Sequence, residues 1–261
     1  MEYVLVAVAV IVATAVALLL YMWKLAHENN VLEHHLSFAD FPAEFGKASF
    51  FFISDIHKRH VHKSIIENVK GKAECVIIGG DLAEGGVSLG VIEENIQLLK
   101  SIGPVFFVWG NNDYEIDYHE LDALLNSMGV KILDNTAVAL ESHNGGSLSL
   151  MGIDYYDGGR ARLDLALQDS EKDSFKILVS HSPSIIRRIK PEDGISLILA
   201  GHTHGGQIRI FGLGRYAHGG ITHKGDTVML TSNGYGTSLL PLRLGAKSQT
   251  HIVHITSQIE R

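Results

Sequence analysis

Five apolar runs in the chain are each followed by side chains of the types that bind metal ions. The runs are SFFFIS, CVIIGG, PVFFVW, FKILVS and ISLILA, and the side chains that follow them are Asp55, His57, Asp81, Asn111, Asp113, His181, His202 and His204. Imidazole combined with carboxylate suits manganese, iron, zinc or nickel, whereas magnesium prefers oxygen ligands alone. The pairs Asp55/His57 and His202/His204 are each two residues apart, so in an extended segment both side chains of a pair point the same way.

The chemistry of such a site would be hydrolysis at phosphorus. Two divalent ions about 3.5–4 Å apart can clamp an in-line phosphoryl displacement, and a bound metal lowers the pKa of water, to about 7 in the best zinc sites. The chain has a formal charge of −7, but two dications outweigh two aspartates, so the site itself would attract an anion. No single motif here is specific, whereas their joint occurrence in order, each at a strand end, is hard to reach by chance.

The apolar runs have the length and composition of buried strands, and helical spacing lies between them. Helices are predicted in HKSIIENVK, SLGVIEENIQLLKSI and YHELDALLNSMG. Shorter strands follow in VKIL, TAVALES and SLSLMG, with a hairpin turn at Asn144-Gly145-Gly146, and the tail segments TVMLTS and QTHIVHIT alternate as antiparallel strands do. Early strand–helix alternation followed by hairpins predicts an α/β sandwich of mixed sheets, with the site at the strand ends.

The N-terminus carries a long uncharged stretch. Residues 3–23 contain no charged side chain, and as a helix at ~1.5 Å per residue they would extend about 31 Å, which is enough to cross a bilayer core. The alternative is a cleaved signal peptide, but Met1-Glu2 lacks the usual positive charge and the run exceeds a typical signal core. Tyr3, Tyr21 and Trp23 lie where interfacial aromatic residues belong.

We therefore expect a single-pass membrane anchor at 1–24, a solvated linker at 25–47 and one catalytic domain at 48–261. Lys24 follows the apolar run and Glu2 precedes it, so the positive-inside rule favours a cytoplasmic catalytic domain at the cell membrane. The acidic chain argues against a nucleic-acid polymer as partner, because phosphate backbones recruit basic surfaces. The single cysteine, Cys75, excludes an intrachain disulfide.

The motifs DIH, GGD, GNND, SHSP and GHTHGGQ resemble the signatures of the calcineurin-like metallophosphoesterases over about residues 48–256. The segments GHTHGGQIRIFG and NGYGTSLLPLRLG are similar to a bacterial, often membrane-associated branch that includes enzymes cleaving the pyrophosphate of UDP-diacylglucosamine. The resemblance implies a four-layer αββα sandwich with a two-metal centre at the strand ends, with Mn favoured among Mn, Fe, Zn and Ni.

The resemblance also implies a ligand set. One metal would take Asp55, His57, Asp81 and His204, and the other would take Asp81, Asn111, His181 and His202, with Asp81 bridging the two. In the same way it implies a catalytic role for Asn112, Asp113 and His204. Substrate contacts are expected from Asn112, Arg209, Tyr235 and Arg243, although a structural salt bridge is an equal interpretation of each arginine.

The chain departs from the family pattern at Asn112, where the family commonly has a histidine that protonates the leaving oxygen. An amide donates a hydrogen bond but delivers no proton at neutral pH, and Asp113, which would orient that histidine, loses its partner. The enzyme then either acts on good leaving groups, takes its proton from another residue, or binds metal with little turnover. Candidate donors are His60, His62, His119, His218 and His223, for each of which a surface position is the ordinary interpretation.

These observations predict a membrane-anchored two-metal phosphohydrolase that cleaves a phosphodiester or phosphoanhydride by attack of a metal-bound hydroxide. The substrate is a phosphate ester or pyrophosphate, and the membrane anchor is consistent with a lipid-linked one. Two alternatives stay open, namely a phosphomonoesterase or cyclic-nucleotide phosphodiesterase, and a metal-containing binding scaffold with little turnover.

Overall fold

The computed structural model describes residues 1–142, 144–156 and 159–258. Within them the chain forms α1 (Glu2–Ala26), β1 (Val31–Phe38), β2 (Lys47–Ile53), α2 (Lys63–Val69), β3 (Cys75–Ile78), α3 (Leu89–Lys100), β4 (Val105–Phe107), α4 (Tyr118–Ser127), β5 (Lys131–Ile132), β6 (Thr136–Glu141), β7 (Ser147–Gly152), α5 (Leu163–Asp169), β8 (Phe175–Val179), β9 (Ile195–Ala200), β10 (Gly220–Lys224), β11 (Thr227–Thr231) and β12 (Thr250–Ser257). Short 3₁₀ helices lie in several of the connections.

The strands form two six-stranded mixed sheets. The first has the order β1-β12-β2-β3-β4-β5 and the second has the order β10-β11-β9-β8-β7-β6. Strands β2 to β5 are parallel in the first sheet, and β7, β8, β9 and β11 are parallel in the second. The strands that precede the metal-binding motifs are therefore neighbours in their sheets, and their carboxyl ends lie at the same edge.

Burial on both faces explains why the central strands are apolar throughout. In β2, Phe50 and Phe52 lie in the core between the two sheets, whereas Phe51 and Ile53 pack against the helices on the outer face of the first sheet. That outer layer contains α2, α3 and α4, and the outer face of the second sheet packs against α5 and the 3₁₀ helix Pro183–Arg187. These layers confirm the predicted four-layer αββα sandwich. Each sheet is apolar on both faces, so both faces must be covered.

The predicted linker at 25–47 is wrong in part. Residues Val31–Phe38 form β1, which pairs in parallel with β12 along its whole length. The ring of His34 lies beside His251 with 3.0 Å between the nitrogen atoms. Because β1 is an edge strand with an irregular, half-exposed side-chain pattern, its sequence lacks the alternation that identifies strands. The folded unit therefore begins before residue 48.

The two tail strands do not pair with each other as an antiparallel hairpin would. Strand β11 pairs in parallel with β9 in the second sheet, whereas β12 lies between β1 and β2 in the first. The antiparallel partner of β11 is β10, a short and fully exposed strand that has no apolar periodicity to reveal it. The predicted hairpin at Asn144-Gly145-Gly146 is confirmed by the antiparallel β6–β7 pair.

Helix α1 projects from the domain. Its apolar side chains are exposed over most of its length, and only Met22, Leu25 and Ala26 at its C-terminal end are buried against the domain. It is the one helix of the described residues with the length and hydropathy of a membrane span.

Candidate metal centre

The motif residues meet where the two sheets end. Asp55 follows β2 and Asp81 follows β3 in the first sheet, while His181 follows β8 and His202 follows β9 in the second. The backbone N–H of His202 donates to Asp55 Oδ1 at 3.0 Å and so connects the ends of the two sheets. The site thus depends on both sheets.

Six of the seven residues that the sequence assigned as metal ligands form two compact clusters. Asp55, His57 and His204 form one, and Asp81, His181 and His202 form the other, with the candidate ligand atoms of each cluster within 4.8 Å of one another. Oδ2 of Asp81 lies 3.2 Å from Nε2 of His181 in its own cluster and 3.8 Å from Nε2 of His57 in the other. This intermediate position is the one that a bridging ligand requires.

Asn111, the seventh assigned ligand, presents an oxygen to the same region. Its Nδ2 donates to Asn112 Oδ1 at 2.7 Å, but its own Oδ1 is buried without a hydrogen-bond partner. A buried, unsatisfied carbonyl costs about 1–3 kcal/mol. A divalent cation would satisfy this oxygen, so the residue fits the role that the sequence predicts for it.

The electrostatics of the clusters also suit cations. Burial opposes a charge on Asp81, but the facing imidazoles of His181 and His57 and the Asn112 N–H outweigh it and lower the Asp81 pKa to about 2. Burial likewise opposes a charge on His181, yet the Asp81 carboxylate raises its pKa well above the ordinary value. The buried Asp81 carboxylate therefore stays ionised and requires positive charge next to it, which divalent cations would supply.

His204 differs from His181 in this respect. Burial lowers the pKa of His204 to about 4, so its ring is neutral at physiological pH and ready to bind a metal, whereas a cation bound by His181 would release the proton of that ring. Its Nε2 lies 3.1 Å from Nε2 of His57 and 3.4 Å from Oδ1 of Asp55.

Backbone strain marks the same residues. Positive φ angles, from 49° to 71°, occur at Asp55, His57, Asp81, His202 and His204. Non-glycine residues rarely adopt this conformation, which costs of order 1–3 kcal/mol each and persists where the surrounding structure over-determines it. The strain indicates that these backbone turns are retained for the placement of the side chains.

The Nδ1 atoms of His57 and His181 each have a contact that orients the ring, and neither contact was predicted from the sequence. Oε2 of Glu84 lies 3.0 Å from Nδ1 of His57 with the geometry of an ion pair, and Lys58 contacts the same carboxylate at 2.6 Å. Nδ1 of His181 donates to the Gly79 carbonyl at 2.8 Å. Such outer contacts direct the remaining ring nitrogen toward the metal position. Glu84 belongs to no motif, so nothing in the sequence marks it.

Asp113 has partners other than the one the sequence assigned to it. It is fully buried, and its carboxylate accepts backbone N–H bonds from Asp81 at 2.9 Å, Ala83 at 2.9 Å and Gly110 at 2.8 Å. Asp113 thus has backbone donors where the family pattern has a histidine, and its complete burial argues against direct contact with a substrate. It is a positioning residue that joins the two loops carrying Asp81 and Asn111.

Two predicted substrate contacts are wrong because the side chains are buried. Arg243 and Tyr235 are both 0% exposed. The Tyr235 hydroxyl donates to the His60 carbonyl at 3.1 Å. Arg209 is partly exposed but donates to the carbonyls of Gly205, Gly212 and Tyr216, so it shapes a loop. The resemblance implied contact because these residues lie in segments similar to the family's active-site loops, and a structural role was an equal interpretation of each arginine.

Arg243 lies against His204 of the first cluster of candidate ligands. Its guanidinium donates to the carbonyls of Asn233 and Gly236, each at 2.6 Å, and approaches Nδ1 of His204 at 3.2 Å. Burial lowers its pKa to about 10, so it remains charged at neutral pH. A buried cation thus holds together the loops that carry His204 and the C-terminal tail.

We expect Arg243→Met to lower the free energy of unfolding by about 3–5 kcal/mol, because the buried carbonyls lose their donor. Arg187→Met is the matched control, since Arg187 is exposed and its loss should change stability by less than about 0.5 kcal/mol. Chemical denaturation followed by tryptophan fluorescence measures both. Equal stability of the two variants would contradict the assigned role.

The clusters open into a cavity of about 260 Å³. Its lining includes Asn112, Thr203, Arg215, Tyr216 and Leu239 together with several assigned ligands. None of the five histidines proposed as replacement proton donors is among the described lining residues. His60 lies beside Glu94, and His223 lines a separate cleft of about 790 Å³ formed by the edge of the second sheet and residues 37–40.

Arg215 and Tyr216 are the residues that sequence reasoning missed in this cavity. Arg215 is exposed, with its guanidinium 5.3 Å from the centre of the Tyr216 ring. An arginine that reaches a phosphate site can bind two oxygens at once. Arg209 was predicted as a substrate contact because it lies within the segment GHTHGGQIRIFG. Arg215 follows that segment and was therefore not predicted.

A profile of the calcineurin-like phosphoesterases matches residues 48–206. The chain belongs to this family and is a metal-dependent phosphoesterase. Over 246 residues it is 41% identical to the uncharacterized protein YpbG of Bacillus subtilis, with 94% of each chain covered. It is 25% identical to phosphodiesterase YaeI of Escherichia coli, with 87% of this chain and 88% of that one covered.

Other similarities support the fold or come from longer proteins. The 5'-nucleotidase precursor of Thermus thermophilus superposes with a TM-score of 0.53 at 10% identity, covering 79% of this chain and 54% of that one. The chain spans only part of two further relatives. One is a Helicobacter pylori metallophosphoesterase (34% identity, 71% and 52% covered) and the other a Bos taurus transmembrane protein with a metallophosphoesterase domain (29%, 67% and 44%).

Proposed function

We propose that the chain is a two-metal phosphohydrolase that cleaves a phosphodiester or phosphoanhydride bond at or near a membrane. This proposal rests mainly on one observation. Two carboxylate–imidazole clusters lie side by side at the edge where both sheets end, and Asp81 is near histidines of both. One metal is assigned to Asp55, His57, Asp81 and His204, and the other to Asp81, Asn111, His181 and His202, with manganese favoured.

When bound, two divalent cations neutralise charge on the phosphoryl group and make hydroxide available at neutral pH. The chain's own residues do the rest. The carboxylates and imidazoles fix the positions of the cations, Asp113 holds the Asp81 and Asn111 loops together, and Arg215 at the cavity wall contributes positive charge for the substrate's phosphate.

The preference for diesters and anhydrides rests on Asn112. Both ends of its amide are engaged, since Oδ1 accepts from Asn111 Nδ2 and Nδ2 donates to Glu115 Oε1, each at 2.7 Å. No described histidine other than the assigned ligands lines the cavity. The site therefore offers the leaving oxygen only a weak proton donor. This favours substrates whose leaving group is a weak base and departs without being protonated.

The test is turnover of bis-(4-nitrophenyl) phosphate by the purified full-length chain, with and without manganese. We expect turnover that is abolished by a chelator and restored by added manganese. A chain that binds metal but hydrolyses no diester, anhydride or monoester would support the binding scaffold instead. Faster hydrolysis of 4-nitrophenyl phosphate than of the diester would favour the monoesterase.

The proposed location at the cell membrane rests on α1, whose 25 residues would extend about 37 Å as a helix, against about 30 Å of hydrocarbon. We expect the full-length chain to stay in the membrane fraction after a high-salt wash. A chain that begins at Met22, which retains the buried end of α1, is the control and should become soluble. Recovery of a shortened, secreted full-length product would indicate a signal peptide.

Orientation is a separate proposal, with the catalytic domain in the cytoplasm. An exposed residue of the domain, such as Lys247, can be replaced by cysteine and treated with a membrane-impermeant thiol reagent. We expect labelling only after the cells are opened. Labelling of intact cells would place the domain outside.

A further inference from the structure

Two apolar turns project beside the cavity. The first contains Ile210, Phe211 and Leu213, which are 61%, 100% and 79% exposed, and the second contains Leu239 and Leu240, which are 95% and 60% exposed. We call these segments, 210–213 and 239–240, the apolar turns. Leu239 itself lines the cavity at the candidate metal site, and so does Arg215, two residues after Leu213, so both apolar turns adjoin the cavity.

The conformation of the apolar turns makes their composition unusual. Ile210 and Leu213 exchange two backbone hydrogen bonds of 2.9 Å, and Phe211 and Gly212 between them have φ angles of 51° and 81°. A two-residue turn with two positive φ angles favours Asn-Gly. Leu239 also has a positive φ, of 62°. Bulky apolar residues in strained, exposed positions contribute little to folding, which indicates a role outside the fold.

The apolar turns are joined to each other and to the metal centre. Gln207, three residues after His204, donates from Nε2 to the carbonyls of Ser238 at 3.0 Å and Leu240 at 3.1 Å. The backbone N–H of Arg209 donates to the Leu244 carbonyl at 2.7 Å. A displacement of either apolar turn would therefore be transmitted to the loop of an assigned metal ligand.

The second apolar turn is also tied to the end of α1. The backbone N–H of Arg243 donates to the Met22 carbonyl at 3.0 Å. Leu240 is three residues from Arg243, and at 3.8 Å between successive Cα atoms it lies within about 11 Å of it. If α1 crosses the membrane, Met22 and Trp23 lie at the membrane surface, because they end the uncharged stretch. The apolar turn must then lie close to the same surface.

We propose that both apolar turns enter the headgroup region of the membrane crossed by α1, so that the cavity opens toward the lipid and receives an amphiphilic phosphate ester from the bilayer. The substrate part rests on the proposed function, whereas the docking part rests on α1 and the apolar turns alone. The attachment to α1 favours the bilayer over a second copy of the chain. Exposed Arg215, two residues after Leu213, matches an anionic headgroup.

The docking is tested by attaching an environment-sensitive fluorophore to a cysteine placed at Phe211 in the full-length protein. The native Cys75 does not interfere, because it is buried and burial raises its thiol pKa to about 12. The protein is placed in phosphatidylcholine–phosphatidylglycerol vesicles. We expect a blue-shifted emission that bilayer-borne quenchers reduce. The same label at Leu165, a 40% exposed residue of α5, should report water.

The substrate route is tested with two nitrophenyl diesters that share a leaving group. One is soluble methyl 4-nitrophenyl phosphate, and the other is the 4-nitrophenyl ester of a diacyl phosphatidic acid in vesicles. The test variant is Phe211→Asn with Leu240→Asn, neither of which lines the cavity. Asparagine suits the positive φ at position 211. We expect at least a fivefold loss on the lipid diester and less than a twofold change on the soluble one. Leu165→Asn should change neither.

The outcomes separate the two proposals. A fluorophore at position 211 that reports water in vesicles, or equal rates of the double variant and wild type on the lipid diester, would overturn the membrane docking. A blue shift that appears without lipid and grows with protein concentration would also overturn it in favour of self-association. Failure to hydrolyse either diester or a pyrophosphate with manganese would contradict the proposed function, and the fluorescence would still decide the docking.

Discussion

Replacing Asp81 by asparagine is expected to remove bound metal and to lower turnover by at least about 10³-fold, since metal catalysis contributes several kcal/mol and each 1.36 kcal/mol is tenfold. Asp81 is 2% exposed, and its Oδ2 lies between His181 and His57. The amide preserves shape but removes the charge shared by both assigned metals. Metal content by elemental analysis should fall from about two ions per chain to at most one.

The controls for Asp81→Asn distinguish loss of a carboxylate at the candidate metal site from loss of a carboxylate elsewhere on the protein. Asp164→Asn removes an exposed carboxylate that pairs with the exposed Arg162, and it should leave metal content and turnover unchanged. His181→Ala should weaken chiefly one metal. Normal turnover with two metals in Asp81→Asn, in a chain that keeps its near-ultraviolet circular dichroism, would refute the ligand assignment.

A steep dependence of rate on the pKa of the leaving group is expected in the wild type. A positioned general acid typically contributes about 10²–10⁴-fold, and most when the leaving oxygen is basic. Since the amide of Asn112 delivers no proton, nitrophenyl diesters and pyrophosphates should be cleaved well, and alkyl esters slower by a comparable factor. Turnover of a series of diesters that differ only in the leaving alcohol measures this slope.

Asn112→His should flatten that slope by helping alkyl substrates more than nitrophenyl ones. The structure changes which residue would orient the new ring. Asp113 is occupied by three backbone N–H groups, whereas Glu115 Oε1 already accepts from the side chain at position 112. The benefit should therefore diminish in Asn112→His with Glu115→Gln. A uniform fall of all rates with loss of metal would mean that the new histidine captures a metal.

A shallow slope in the wild type would show that another acid works in the cavity. Tyr216 would be the first residue to examine, because it lines the cavity and none of the five histidines does. Tyr216→Phe should then steepen the slope. If the slope is already steep in the wild type, Tyr216→Phe should leave it unchanged.

Local sequence was sufficient to predict the strands that carry the site. The strands β2, β3, β4, β8 and β9 are buried on both faces, so each reads as an uninterrupted apolar run. The side chains that follow them lie at one edge because parallel strands share their direction. The meeting of the candidate ligands at the strand ends follows from that rule, whereas their division into two clusters and the four-layer fold were implied by the family resemblance.

Edge strands and buried supports could not be predicted in this way. Strand β1 has no clear alternation and becomes a strand only because β12 offers it a partner. Arg243, Glu84 and Asp113 have no property in the sequence that separates a buried support from a substrate contact, since both use the same charged groups. Only the folded chain places Arg243 behind His204, Glu84 behind His57 and Asp113 between two loops.

The sequence by itself determined the chemistry, because the residue types that bind metals and their order at strand ends are local properties. Only the tertiary structure decided which residues surround the entrance of the cavity at the candidate metal site. Phe211 and Leu239 read in the sequence as ordinary loop residues, yet they project beside the cavity and are tied through Gln207 and Arg243 to His204 and to α1. Contacts between segments so distant along the chain form only when both sheets have assembled, so no local pattern encodes them.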